Sequence, residues 1–193
     1  MRGRVINIIR AMALAGAACG ALVATTPAAN ATTATATLTA GSLGFVSAPP
    51  NVSFTGTLTG ANQTLNATQP IDVSDATGSG AGWNLTATST TFTNGGNTLS
   101  TSATTVNSAP TVACDTGSTC SVATPSTGAT AVTYPYTLPA GATAPTATKM
   151  FSAASGTGMG DQTASTQWSL AIPGNARAGT YTSTWTLSLV SGP

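Results

Sequence analysis

Short runs of alternating apolar and hydroxylated residues, each closed by Gly, Pro, Asn or Ser, recur through this chain from Thr33 to its last residues. A period of two puts successive side chains on opposite faces of an extended strand, and a helix cannot satisfy it. Leu, Glu, Lys, Gln and Ala at the helical spacing are missing or unpatterned after residue 31. The runs "TATATLTA", "LGFVSA", "VSFTGTLT", "QTLNAT", "IDVSDA", "GWNLTATST", "TLSTSATTV", "TVAC", "AVTYPYTL", "TKMFSA", "TQWSLAI" and "TYTSTWTLSLV" read as strands. "SAPPN", "ATGSGAG", "TNGGN" and "SGTGMGDQ" are turn chemistry.

The predicted fold is all-β: one antiparallel β-sandwich domain, immunoglobulin-like or related, without significant helix. The first 31 residues stand apart. "MRGRVINIIR" is a basic start and "AMALAGAACGALVA" an apolar stretch too short to span a bilayer. Ala29-Asn30-Ala31 has the small-x-small form of a cleavage site. Residues 1–31 are therefore expected to be a cleaved signal peptide, and residues 32–193 the exported domain, with no membrane attachment after cleavage. Cys19 would suit a lipidated leader, but Gly16 stands where such leaders carry Leu, and the apolar run continues past the cysteine.

Charge is nearly absent from the exported part. Lys149 and Arg177 face Asp72, Asp75, Asp115 and Asp161, for a net charge of −2 over residues 32–193. Nucleic acid, which needs a basic face, is excluded as a partner. The chain contains no His and no Glu. A Ser-His-Asp triad is therefore impossible, and general acid–base work by His or Glu is ruled out. Asp72 and Asp75, three apart on a strand, point to opposite faces and do not form a carboxylate pair for glycoside hydrolysis. Asp75 reads as the cap of the Gly-rich turn that follows it. No catalytic residue, metal site or cofactor is expected. Cys114 and Cys120 flank the turn-forming stretch in "CDTGSTC" and are expected to form a local disulfide in an oxidising exterior.

All three tryptophans fall in the same tripeptide form: Trp83-Asn84-Leu85, Trp168-Ser169-Leu170 and Trp185-Thr186-Leu187. In the last strand Tyr181, Ser183, Trp185, Leu187 and Leu189 share one face, and Thr182, Thr184, Thr186 and Ser188 share the other. A Trp with a Leu two residues on is a good core pair. Burying one indole removes roughly 150–250 Å² from water, a gross gain of roughly 4–6 kcal/mol. That reading suits Trp168. For Trp83 and Trp185, packing and binding both stay open.

"GSGAGWNL" followed by "IPGNARAGTYTSTWTLSLVSGP" resembles the WxL domain of Gram-positive surface proteins. Asp75, "ATGSGAG" and Trp83-Asn84-Leu85 match its first motif; Ala178-Gly179-Thr180-Tyr181 and Pro193 match the surroundings of the second. The opening "LTAGSLGFVSAPPNVSF" is similar to the start of actinobacterial members. The second motif departs from the family pattern: Leu187 stands where the usual Trp falls, Trp185 is displaced by two residues along the same face, and Leu189 takes the position of the family's Leu. The resemblance covers nearly all of residues 32–193. It implies an exported cell-surface protein held non-covalently to peptidoglycan or another cell-wall glycan, with Trp83, Leu85, Tyr181, Trp185, Leu187 and Leu189 as the wall-binding residues. The competing expectation is a structural or adhesive subunit that pairs with other surface proteins through strand edges.

Overall fold

The computed structural model describes residues 31–193. The expected leader lies outside the described residues apart from Ala31. Residues 31–37 form no regular element, and a compact unit runs from Leu38 to Pro193. Its strands in chain order are β1 (Leu43–Phe45), β2 (Gln63–Asp75), β3 (Trp83–Thr90), β4 (Thr93–Asn94), β5 (Asn97–Thr98), β6 (Thr104–Val106), β7 (Thr111–Cys114), β8 (Tyr136–Thr137), β9 (Ala140–Gly141), β10 (Thr148–Ser152), β11 (Gly160–Ile172) and β12 (Trp185–Ser191). A single 3-10 turn, Gly128–Thr130, is the helical element among the described residues. The all-β sandwich expected from the alternation is thus observed.

One sheet has the order β1-β2-β11-β6-β8, with β7 also on β11. The other has the order β10-β3-β12, with the short β9 parallel to β3. β2 and β11 pair antiparallel along thirteen residues, from Asp75↔Gly160 to Gln63↔Ile172. β2 joins two stretches the sequence reads as separate strands, "QTLNAT" and "IDVSDA", straight through Pro70. The backbone explains why it can. The Asp72 carbonyl accepts the Val46 N–H, so the even-numbered residues of β2 turn their backbone groups away from β11. Pro70 lacks its donor on that outer side, where no ladder bond is lost.

Two expected strands do not form. "TATATLTA" has no partner, and "VSFTGTLT" runs extended without joining either sheet. Pro49 and Pro50 introduce the second of these with no backbone donors. The segment is held instead by side chains: Gln69 Nε2 donates to the Pro50 carbonyl at 2.7 Å and Gln63 Nε2 to the Thr57 carbonyl at 3.2 Å. Val52 and Phe54 are half-buried against the core while Ser53 and Thr55 face out.

The core lies between the two sheets. Ile71, Val73, Trp83, Leu85, Val106, Leu138, Met150, Phe151 and Trp168 are all 0% exposed. A bulge in β10 between Lys149 and Phe151 interrupts the alternation there, so that Met150 and Phe151 are both buried. Several polar groups inside are paired. The Gly158 carbonyl accepts both Trp83 Nε1 at 3.0 Å and Gln162 Nε2 at 2.6 Å, and Gln162 Oε1 accepts the Ala123 N–H at 2.8 Å. Gly158 has φ +84°, and a Cβ there would lie 2.5 Å from Trp83 Nε1, so only glycine fits. The Cys114–Cys120 disulfide is formed, closing the loop between β7 and the segment that leads to Ser121. Asp75 caps its turn as expected: its Oδ1 accepts the Thr77 N–H at 3.0 Å and the Thr77 hydroxyl at 2.6 Å.

Candidate functional site

β12 is the edge of its sheet, paired only with β3 in the register Trp185↔Ser89, Leu187↔Ala87, Leu189↔Leu85. The expected two-faced pattern holds. Tyr181, Ser183, Trp185, Leu187 and Leu189 are half-buried, and Thr182, Thr184, Thr186 and Ser188 are exposed. An edge strand closes its inner face against the opposite sheet on one side only, which leaves these side chains partly open.

The six residues expected at the wall contact divide accordingly. Trp83 and Leu85 are 0% exposed. β3 is the central strand of its sheet, with β10 on one side and β12 on the other, and the sheet built on β2 and β11 closes its inner face. In this fold the two residues are core, and nothing outside touches them while the sandwich stays shut. The indole of Trp83 packs on Phe151 with centroids 5.4 Å apart. Trp168, for which packing was the expected role, is also fully buried and donates from Nε1 to Gln69 Oε1 at 2.9 Å. Tyr181, Trp185, Leu187 and Leu189 stay within reach of solvent.

Trp185 sits in an aromatic cluster. Its ring centroid is 4.6 Å from Trp168, 6.2 Å from Phe92 and 6.4 Å from Phe54, in edge-on or tilted arrangements. Phe54 and Phe92 meet edge to face at 6.3 Å. Two clefts open on this cluster. One, of about 490 Å³, is lined by Pro49, Pro50, Gln69, Phe92, Trp185 and Leu187. The other, of about 740 Å³, is lined by Phe54, Phe92, Leu170, Ile172 and Arg177 among others. They share Val52, Phe92 and Tyr181, so they adjoin. Sequence reasoning singled out neither Phe54 nor Phe92. Phe54 belongs to a stretch read as an ordinary strand, and Phe92 falls between strand and turn, where no periodicity marks it.

The approach to β12 is pinned. Thr93 and Thr182 exchange backbone hydrogen bonds, each 2.9 Å, and the Tyr181 hydroxyl donates to the Arg177 carbonyl at 3.1 Å. Gly179 has φ +144°, and a Cβ there would run into the Asn94 side chain. The "AGTY" stretch thus needs its glycine for close approach to the β4–β5 hairpin.

A family model described as "WxL domain surface cell wall-binding" matches residues 25–193. The chain belongs to the WxL family. As a WxL protein it is a cell-surface protein whose domain binds the cell wall, and the family is not one of enzymes. Neither the curated proteins nor the solved structures yield a match to the chain.

The acids of this WxL domain gather toward the end of the long strands opposite the larger cleft. Asp161 lies across from Ser74, Thr163 lies across from Asp72, and the Thr163 hydroxyl donates to Asp115 Oδ1 at 2.7 Å. Burial, then the negative charges of Asp115 and Asp161, raise the Asp72 pKa above the ordinary carboxylate value. Among the described residues its Oδ1 has no hydrogen-bond partner. The raised value means that the folded chain binds more protons than the unfolded chain between the ordinary and the raised pKa. Stability therefore rises as pH falls through that window and is lost again as pH rises. Asp72→Asn should raise the melting temperature at pH 7. It should also flatten the gain that wild type shows on going from about pH 7 to about pH 4.5. Thermal melts of both proteins at the two pH values check this.

Proposed function

We propose that this chain is exported and attaches non-covalently to peptidoglycan through the aromatic clefts beside β12, with Trp185, Tyr181, Phe92 and Phe54 as the contact. The single observation behind this is the half-buried Trp185, packed against three other rings at the mouth of a cleft with almost no charge. Aromatic faces fit sugar rings, and the surrounding Thr, Ser, Asn and Gln side chains supply neutral donors and acceptors. Leu187 and Leu189 support the strand from the same face. Trp83 and Leu85 hold β3 in place behind it and contribute through the fold.

Contact of this kind draws little on ionic attraction, so salt should matter little. Purified protein should sediment with bare sacculi, stay bound at a few hundred millimolar salt, and be released by a chaotrope. Complete release by that salt alone would mean an ionic mechanism and would overturn the reading. A second reading has an observation of its own: β12 ends its sheet without a further ladder among the described residues, and its Val190 is 50% exposed. A strand of another surface protein would fit that edge. Such a partner would bind equally well in the absence of sacculi, and Trp185 substitutions would leave it in place.

A further inference from the structure

Six charged residues remain in residues 32–193; Lys149 stands on β10 and lines neither cleft, while the acids and Arg177 lie toward different ends of β11. Asp72, Asp115 and Asp161 cluster near the start of β11. Arg177 follows the other end of that thirteen-residue strand, on the order of 40 Å away at the usual rise per residue. Arg177 lines the larger cleft, no Asp lines either cleft, and Arg177 has no acidic partner among the described residues. Its guanidinium is exposed, but the backbone that carries it is fixed. The Ala176 N–H donates to the Pro173 carbonyl at 3.0 Å, and the Arg177 carbonyl accepts the Tyr181 hydroxyl. The one cation of the cleft thus stands beside Tyr181, on a loop pinned to the β4–β5 hairpin.

We infer that the larger cleft takes a mostly neutral ring-bearing chain with one carboxylate, and that Arg177 pairs with that carboxylate while the rings lie along Tyr181, Phe92 and Phe54. This rests on the clefts being the wall contact. The planar guanidinium suits a carboxylate in a two-bond pairing. Sparse charge is the deciding feature. A polymer with a phosphate in every repeat would set several anions along a cleft of about 740 Å³ that offers one cation and apolar walls, and the surplus would be desolvated without partners. A wall glycan with occasional carboxylates leaves no such surplus. The acidic far end would repel the same ligand, so the two poles also orient the protein on an anionic surface.

The test compares wild type, Arg177→Gln, Arg177→Lys and Tyr181→Ala on three sacculus preparations: untreated, carboxylates capped with a neutral amine, and phosphodiester polymers stripped. Arg177→Gln should weaken binding to untreated sacculi about 5- to 10-fold, with the melting temperature moved by no more than ~1 °C. Arg177→Lys should keep part of the affinity. Capping should bring wild type down to the Arg177→Gln level and make the two coincide, and stripping phosphodiesters should change neither. The inference is overturned if Arg177→Gln binds untreated sacculi like wild type. It is equally overturned if the gap survives capping, or if it vanishes when phosphodiesters are stripped. Tyr181→Ala separates the two levels of the account: if it loses binding while Arg177→Gln does not, the carboxylate falls and the cleft stands. If neither loses binding, both fall.

Discussion

Trp83→Ala should unfold the domain, or leave it folded only at low temperature, with a loss of about 3–5 kcal/mol. The indole is 0% exposed, rests on Phe151 at 5.4 Å and donates to the Gly158 carbonyl. Truncation opens a cavity between the sheets. The Gly158 carbonyl keeps Gln162 Nε2 as a donor, so the polar loss is partial and the cavity dominates. The surroundings cannot close in easily. Gly158 has no side chain to move, and its backbone accepts two bonds in place. Large apolar side chains are few here, so one indole is a large share of the core. A marginal domain has about 5–15 kcal/mol to lose. A melting temperature within a few degrees of wild type would show that Trp83 is not the core residue described. Circular dichroism melts decide it.

Trp185→Ala should behave differently. Its ring is half-buried, and Trp168, Phe54 and Phe92 surround it on one side only. Solvent and the neighbouring rings can fill part of the space, so the stability loss should be about 1.5–3 kcal/mol, below the range for a fully buried aromatic. The larger effect belongs to wall binding. Aromatic anchors at the centre of a contact dominate its affinity, and losing one costs roughly 2 kcal/mol or more, above ten-fold. Under the proposed contact, one indole serves the fold and the other the wall, although both stand in the same tripeptide. The difference comes from strand position: central for Trp83, edge for Trp185.

That difference also marks what the sequence can tell. Alternation reads directly as strand, and the two faces of β12 are legible from Tyr181 to Leu189 because the period is local. Whether a given face ends up closed depends on which strands flank it, and that is set by pairings between distant residues, such as Leu85 with Leu189. Nothing near Trp83 announces that β3 lies between β10 and β12. Likewise "VSFTGTLT" has the composition of a strand, yet it finds no ladder, because Pro49-Pro50 sets its entry and β2 meets it through Gln63 and Gln69 side chains. Phe54 joins the aromatic cluster for the same non-local reason. The disulfide and the Asp75 cap, both closed within a few residues, are legible in full.

The central claim is that the wall is held at the edge of the sandwich, by the exposed side of Trp185 and its neighbours. The measurement that tests it most directly is a binding isotherm on bare sacculi for wild type and Trp185→Ala. It should be taken at a temperature where circular dichroism shows both to be fully folded. The account predicts an apparent Kd raised by about ten-fold or more for Trp185→Ala, with the strand spectrum unchanged. A folded Trp185→Ala protein that binds with the wild-type Kd would contradict it and move the contact to another surface.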